Sequence, residues 1–163
     1  MEPRIVERGE QPYVAIRGLV PMQAISSIAD RIPEVIGWLG ARGVEPAGAP
    51  FLRYDVIDME GHLELEAGVP VAATVEGDDQ VRPGVLPAGR YATVTHLGHF
   101  SQLYDVTAAL LDWATEQGLE WDMTEQGDGS ERWGCRLEAY QTNPAEEPNP
   151  DKWETELAFR LAD

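Results

Sequence analysis

The side chains able to do chemistry converge on one stretch, Trp133-Gly-Cys-Arg-Leu-Glu-Ala-Tyr140. Strand alternation puts Cys135, Leu137 and Ala139 on one face and Arg136, Glu138 and Tyr140 on the other. If the apolar set packs beneath a helix, Glu138 and Tyr140 face open space. A carboxylate held among rings and away from water is destabilising by several kcal/mol unless it is paired. Two chemistries follow. The charge can wait for a ligand cation, or the pKa can rise until the group serves as an acid or base near neutrality. The opposing reading is an ordinary ion pair: Arg136 shares the face of Glu138, and Arg53 and Arg160 can come close. Such a pair on a wetted sheet contributes little and serves no function. Spacing alone leaves both readings open.

The rest of the chain offers little competing machinery. His62, His96 and His99 are scattered without metal-ligand spacing, so no metal site is expected. Asp122 to Glu131 is acidic and glycine-bearing but misses the calcium-loop pattern and reads as a solvated hairpin loop. No phosphate loop, dinucleotide fingerprint or Gly-x-Ser-x-Gly is present, and no cofactor is expected. Cys135 reads as an inert core thiol. Of the five tryptophans, Trp38 and Trp113 fall on helix faces that suit core packing as well as ligand contact. Trp153 shares parity with Leu157 and Phe159. Tyr54 shares parity with Leu52 and Val56, so alternation does not choose between core and cleft.

The elements that must position these residues occur twice. Pro12-Tyr-Val-Ala-Ile-Arg-Gly18 alternates as a strand. Asp30 can cap a helix whose Pro33 falls in the first turn, with Ile28, Ile32, Val35 and Leu39 at helical spacing and Gly43 ending the run. Residues 50–58 and 62–71 read as two further strands joined by a turn at Glu60-Gly61. The second half repeats the order: a strand over 90–96, a helix with Leu103, Val106, Leu110 and Trp113 along one stripe and Gly118 at its end, then strands over 133–141 and 153–161. Glu76 to Gln80 and Arg82-Pro-Gly84 read as linker or hairpin. The fold class is therefore α+β, a single domain over 1–163 in tandem strand–helix–strand–strand repeats of about 1–75 and 84–163. Pairing two such units puts helices on one side of antiparallel sheets and forms a groove between the halves, a usual place for a pocket. Val14 and Ile16 match Ala92 and Val94 as the residues beneath the helices, with Tyr13 and Tyr91 pointing the other way.

Composition narrows the partners. A chain of 163 residues, 43% hydrophobic and 25% charged, suits one globular domain. With 29 acidic and 12 basic residues the net charge is −17, which repels a phosphate backbone, so no direct nucleic-acid partner is expected. The same field draws cations inward. The apolar runs are too short to span a bilayer, Met1-Glu2-Pro3-Arg4 shows no signal region, and a single cysteine suits a reducing compartment. The expectation is a cytoplasmic protein without a membrane partner. No helix-turn-helix is expected before or after the domain.

Leu86-Pro-Ala-Gly-Arg-Tyr-Ala-Thr-Val-Thr-His-Leu-Gly98, the helix ending Leu111-Asp-Trp113, then Glu138-Ala-Tyr140, Asn143-Pro144 and Trp153-Glu-Thr-Glu-Leu157 stand in an order that resembles the GyrI-like proteins. These are effector-binding domains of AraC-type and multidrug-sensing regulators, also found free-standing. The resemblance implies a pseudo-twofold pair of units around a central ligand cleft, a cleft glutamate at Glu138, and a lining of Tyr140, Tyr54, Trp113 and Trp153 that stacks on flat hydrophobic or cationic molecules. It also implies an alternative, since some free-standing members open cyclopropane-bearing electrophiles hydrolytically, with the matching Glu138 as general base. A third implied role is protein interaction, as in the gyrase-inhibiting members.

Overall fold

The computed structural model describes residues 2–58 and 60–163. Ten strands form one antiparallel sheet: β1 (Arg4–Arg8), β2 (Gln11–Pro21), β3 (Phe51–Ile57), β4 (His62–Pro70), β5 (Arg82–Leu86), β6 (Gly89–Leu97), β7 (Met123–Glu125), β8 (Glu131–Trp133), β9 (Arg136–Tyr140) and β10 (Glu154–Arg160). The helices are α1 (Ile25–Ala29), α2 (Ile32–Ala41) and α3 (Leu103–Glu116). The order β1-β6-β10-β9-β3-β4-β2-β5 reads the same from either end once the two halves are superimposed, with β7 and β8 off this path. The halves join where Leu52 lies opposite Glu138 in the β3–β9 pair.

The sheet curls, and its two faces bury different cores. On the outer face, helix residues Ile28, Val106 and Leu110 pack on Leu52, Leu65, Ala92, Val94 and Leu157. Val35 and Leu39 of α2 cover Val14 and Ile16. Inside the curl, Tyr13, Phe51, Tyr91, Cys135 and Leu137 meet without any helix. Val14, Ile16, Ala92 and Val94 therefore lie beneath helices and Tyr13 and Tyr91 do not, as alternation predicts. Cys135, Leu137 and Ala139 are a correction. That apolar set packs inside the curl, and the face of Glu138 is the one the helices flank.

Other departures have local causes. Asp30 closes α1 instead of capping α2; Arg31 takes the cap position without a side-chain bond, and Pro33 occupies the first turn as expected. Gly43 and Gly118, at φ +69° and +71°, end their helices in the left-handed region. Residues 133–141 form two strands, because Gly134 and Cys135 turn their backbone groups to Asp122, Arg53 and Arg160 instead of to the ladder. Arg82-Pro-Gly84, read as a connector, opens strand β5. Pro83 is tolerated there because β5 is an edge strand. A Cβ on Gly84 would lie 2.6 Å from the Tyr13 ring, so only glycine lets that ring cover the strand.

Beneath the β2–β4–β3 surface lies a buried ionic network. Tyr13 donates to Glu66 (2.7 Å), Arg53 donates to Tyr13 (3.0 Å), and Arg53 pairs with Asp55 at 3.2 Å. Burial first, then the hydrogen bond and charge of the adjacent Glu66, push the Asp55 carboxyl well above the ordinary aspartate range; the charges of Arg53 and Arg17 pull the other way and lose. A carboxyl raised in the folded state favours folding when protonated, so its contribution is full below the ordinary aspartate value and is lost as pH rises through the raised folded value. Asp55→Asn, which imitates the protonated acid, is expected to match wild type in urea unfolding at pH 4 and to exceed it at pH 9. Parallel stability profiles across that range would refute the assignment.

Candidate functional site

The outer face of the β3–β9 joint forms the floor of a cavity of about 1760 Å³. This exceeds the roughly 300–1,000 Å³ of a drug-sized pocket. One wall comes from the α1–α2 side, through Ile25, Ala29 and Ile32; the other comes from α3, through Leu103, Thr107 and Leu111. Both helices keep their most buried stripe for the sheet and turn the next position, such as Leu111 after Leu110, toward the opening. Phe100, at the turn before α3, closes one end.

Glu138 stands on the floor. Its direct neighbours on the flanking strands are Leu52 and Leu157, each 1% exposed. Its carboxylate accepts from the Tyr140 hydroxyl at 2.7 Å and from the Tyr54 hydroxyl at 3.4 Å. Among the described residues no basic group lies within 4.0 Å of it. Arg53 pairs with Asp55 inside the curl and Arg160 with Asp122, so two of the three arginines considered as partners are engaged elsewhere, and the third, Arg136, stays beyond 4.0 Å. Burial raises the Glu138 pKa, while the two tyrosine hydrogen bonds and the nearby Arg136 charge lower it; burial prevails. Both tyrosines are pushed well above their ordinary range, chiefly by burial and next by the Glu138 charge, and they stay protonated donors.

The four aromatic residues named from the sequence fall in different places. Tyr54 and Tyr140 line the cavity and touch Glu138. Tyr54 keeps the parity of Leu52, which serves both core and cavity floor, and the bulge that follows shifts only the Val56 register. Trp113 and Trp153 lie outside the lining. Trp113 sits on α3 one position before the buried Ala114 and packs against the core. Trp153 lies just before β10, where it donates to the Glu147 carbonyl and stacks on Phe100 at 4.7 Å. Phe100 in turn meets the Tyr140 ring edge-on at 5.5 Å, so Trp153 supports the wall from behind. Phe100, Leu52 and Leu111 are lining residues that sequence reasoning missed; none differs in type from ordinary core.

The rim is acidic. Asp30, Asp58, Glu60, Asp128, Glu131 and Glu146 line the cavity with Glu138, and among the described residues Arg136 is the one basic group in the lining. Such a rim raises the local concentration of cations. The described residues hold no group of three or more His, Cys, Asp or Glu placed to bind a metal ion. None of the helices described is long and apolar enough to cross a membrane.

Known structures share this architecture. The EcmrR C-terminal domain matches with a TM-score of 0.74 and 19% identity over 99% of this chain and 98% of that one. EcmrR in its DNA complex matches with a TM-score of 0.78 and 19% identity, over 99% of this chain but 57% of that one. SAV2435 bound to tetraphenylphosphonium gives 0.69 and 10% identity over 99% and 94% of the two chains. A hydrolase from Listeria innocua gives 0.60 and 16% identity over 99% and 92%. At these identities the likeness is one of fold. No curated protein matches the chain. The sequence itself carries the assignment further: the model of the GyrI-like small molecule binding domain matches residues 1–162, and this chain belongs to the GyrI-like family.

Proposed function

We propose that the chain binds a bulky hydrophobic cation in the cavity between its helices, in the cytoplasm, with Glu138 as the counter-ion and Tyr54 and Tyr140 as its holders. One observation carries this reading: a buried carboxylate without a basic partner, fixed by two hydroxyls on the floor of a large apolar cavity. A delocalised cation gains from the ring faces, about 0.5–2 kcal/mol each, and from the ionic attraction to Glu138. The acidic rim gathers such ligands, and SAV2435, which shares the fold, is bound to one. Calorimetric titration with tetraphenylphosphonium is expected to give a Kd of about 1–30 μM, roughly −6 to −8 kcal/mol. No saturation up to millimolar ligand would refute the reading.

A second reading rests on the raised proton affinity of Glu138. Such a carboxylate can take a proton from water as the oxygen attacks a strained cyclopropane carbon. The ring C–C bond breaks, and its electron pair passes to the conjugated acceptor. A general base of this kind contributes about 10²–10⁴-fold. Following product mass alongside binding separates the two readings: a gain of one water that Glu138→Gln abolishes, with binding kept, marks the enzyme.

A further inference from the structure

Arg136 stands two residues before Glu138 on the same face of β9 and lines the same cavity. Its guanidinium lies 4.5 Å from the Phe159 ring centroid, 4.7 Å from Trp133 and 5.8 Å from Tyr54. A guanidinium carries five N–H donors in a fixed fork and keeps its charge at any accessible pH. Among the described residues no carboxylate oxygen comes within 4.0 Å of it, and no side-chain hydrogen bond engages it. Glu131 and Glu138 favour its charge from farther off, against the cost of burial. Ring faces satisfy the positive charge but accept few of the donors, which stay available to an oxygen arriving in the cavity they line. By contrast, Arg53 donates to the Gly134 carbonyl and pairs with Asp55, and Arg160 donates to Asp122 and the Ala88 carbonyl.

We propose that Arg136 is an anion-reading position of the cavity, so that the preferred ligand is a zwitterion with a carboxylate near its hydrophobic cation. The claim rests on the binding role proposed for the same cavity and refines its ligand class. Two residues along a strand span roughly 6.5 Å, and with no Arg136–Glu138 contact within 4.0 Å a ligand reaching both must carry its charges on the order of that distance apart. A ligand that supplies both charges satisfies the Arg136 fork and the Glu138 carboxylate together. A simple cation satisfies one and leaves the guanidinium as a like charge nearby.

A matched pair tests this: (4-carboxybutyl)triphenylphosphonium, whose tether holds its charges at a similar distance, and its methyl ester, which lacks the anion. Calorimetry is expected to show wild type binding the acid more tightly than the ester at pH 8. Arg136→Met, which keeps the side-chain bulk against the rings, should weaken the acid by about 10- to 100-fold and strengthen the ester by up to about tenfold, so that the preference reverses. Arg136→Lys keeps the charge without the fork and should fall between; it also carries the test if the methionine variant proves unfolded by circular dichroism. An acid-to-ester ratio the same in wild type and in the folded variants overturns this inference and leaves the binding role standing. Failure of wild type to bind either compound overturns both.

Discussion

Glu138→Gln weakens tetraphenylphosphonium binding by about 30- to 300-fold at pH 8, the loss expected when one member of a desolvated charge pair is neutralised, roughly 2–3.4 kcal/mol. The wild-type affinity also falls as the medium is acidified through the raised pKa of Glu138, because the protonated acid offers no charge; the glutamine variant shows a flat profile. Stability moves the opposite way. With the folded pKa above the unfolded one, the contribution of this carboxyl is full when it is protonated and is lost as pH rises through the folded value. Glutamine imitates the protonated acid, so the variant without ligand should melt higher than wild type at pH 8, by about 2–4 °C for each kcal/mol recovered. Weaker binding with a higher melting temperature is the signature of a charge kept for a ligand. Unchanged affinity and unchanged melting would place the carboxylate in ordinary solvent and end the case for this site.

Two adjacent leucines of α3 should separate folding from binding. Leu110 is fully buried on the sheet among Val94, Val106 and Leu157. Its truncation to alanine is expected to remove about 2–5 kcal/mol of stability, some 4–20 °C in melting temperature. Binding by the folded fraction should survive. Leu111 is turned by about 100° and lines the cavity with part of its surface open. Leu111→Ala should cost little in melting temperature and weaken the phosphonium by about 5- to 20-fold through lost apolar contact. Thermal melts and calorimetry on the two variants decide the matter; a reversed pattern would mean that α3 presents a different face to the cavity.

Much of the scaffold could be read from periodicity. β2, β3, β4, β6, β10 and α3 carry either strict alternation or a helical stripe, and their parity placed Val14, Ile16, Ala92 and Val94 beneath helices. β1 and β5 were illegible for a physical reason. Arg-Ile-Val-Glu-Arg is short and charged, Arg-Pro-Gly-Val-Leu opens with two breakers, and each forms only because an edge of the sheet offers it a partner.

Alternation also divides β9 into two faces without saying which one a helix meets. An apolar set such as Cys135 and Leu137 fits the interior of a curled sheet as well as the underside of a helix, and that ambiguity produced the inverted assignment. Glu138 and Tyr140 stood out because their types are costly in a core. Tyr54 shares its face with the core residue Leu52, while Phe100 and Leu111 acquire their place only through the turn before α3 and the angle of that helix. Arg136 was visible but looked like the neutralising partner of Glu138; the three rings that hold it apart come from β3, β8 and β10 and leave no trace in local spacing.

The exchanged edge strands bear on how a ligand gets in. β1 leaves the first half to pair with β6, and β5 pairs back with β2 before the chain enters β6. The halves are thus clasped at both outer margins as well as along β3–β9. Parting them like a hinged shell would strip the β1–β6, β2–β5, β3–β8 and β3–β9 ladders of backbone hydrogen bonds at once, each buried group then needing a new partner. Traffic to Glu138 must therefore pass through the mouth between the α1–α2 side and α3, and what can enter is set by the side chains on those facing helices.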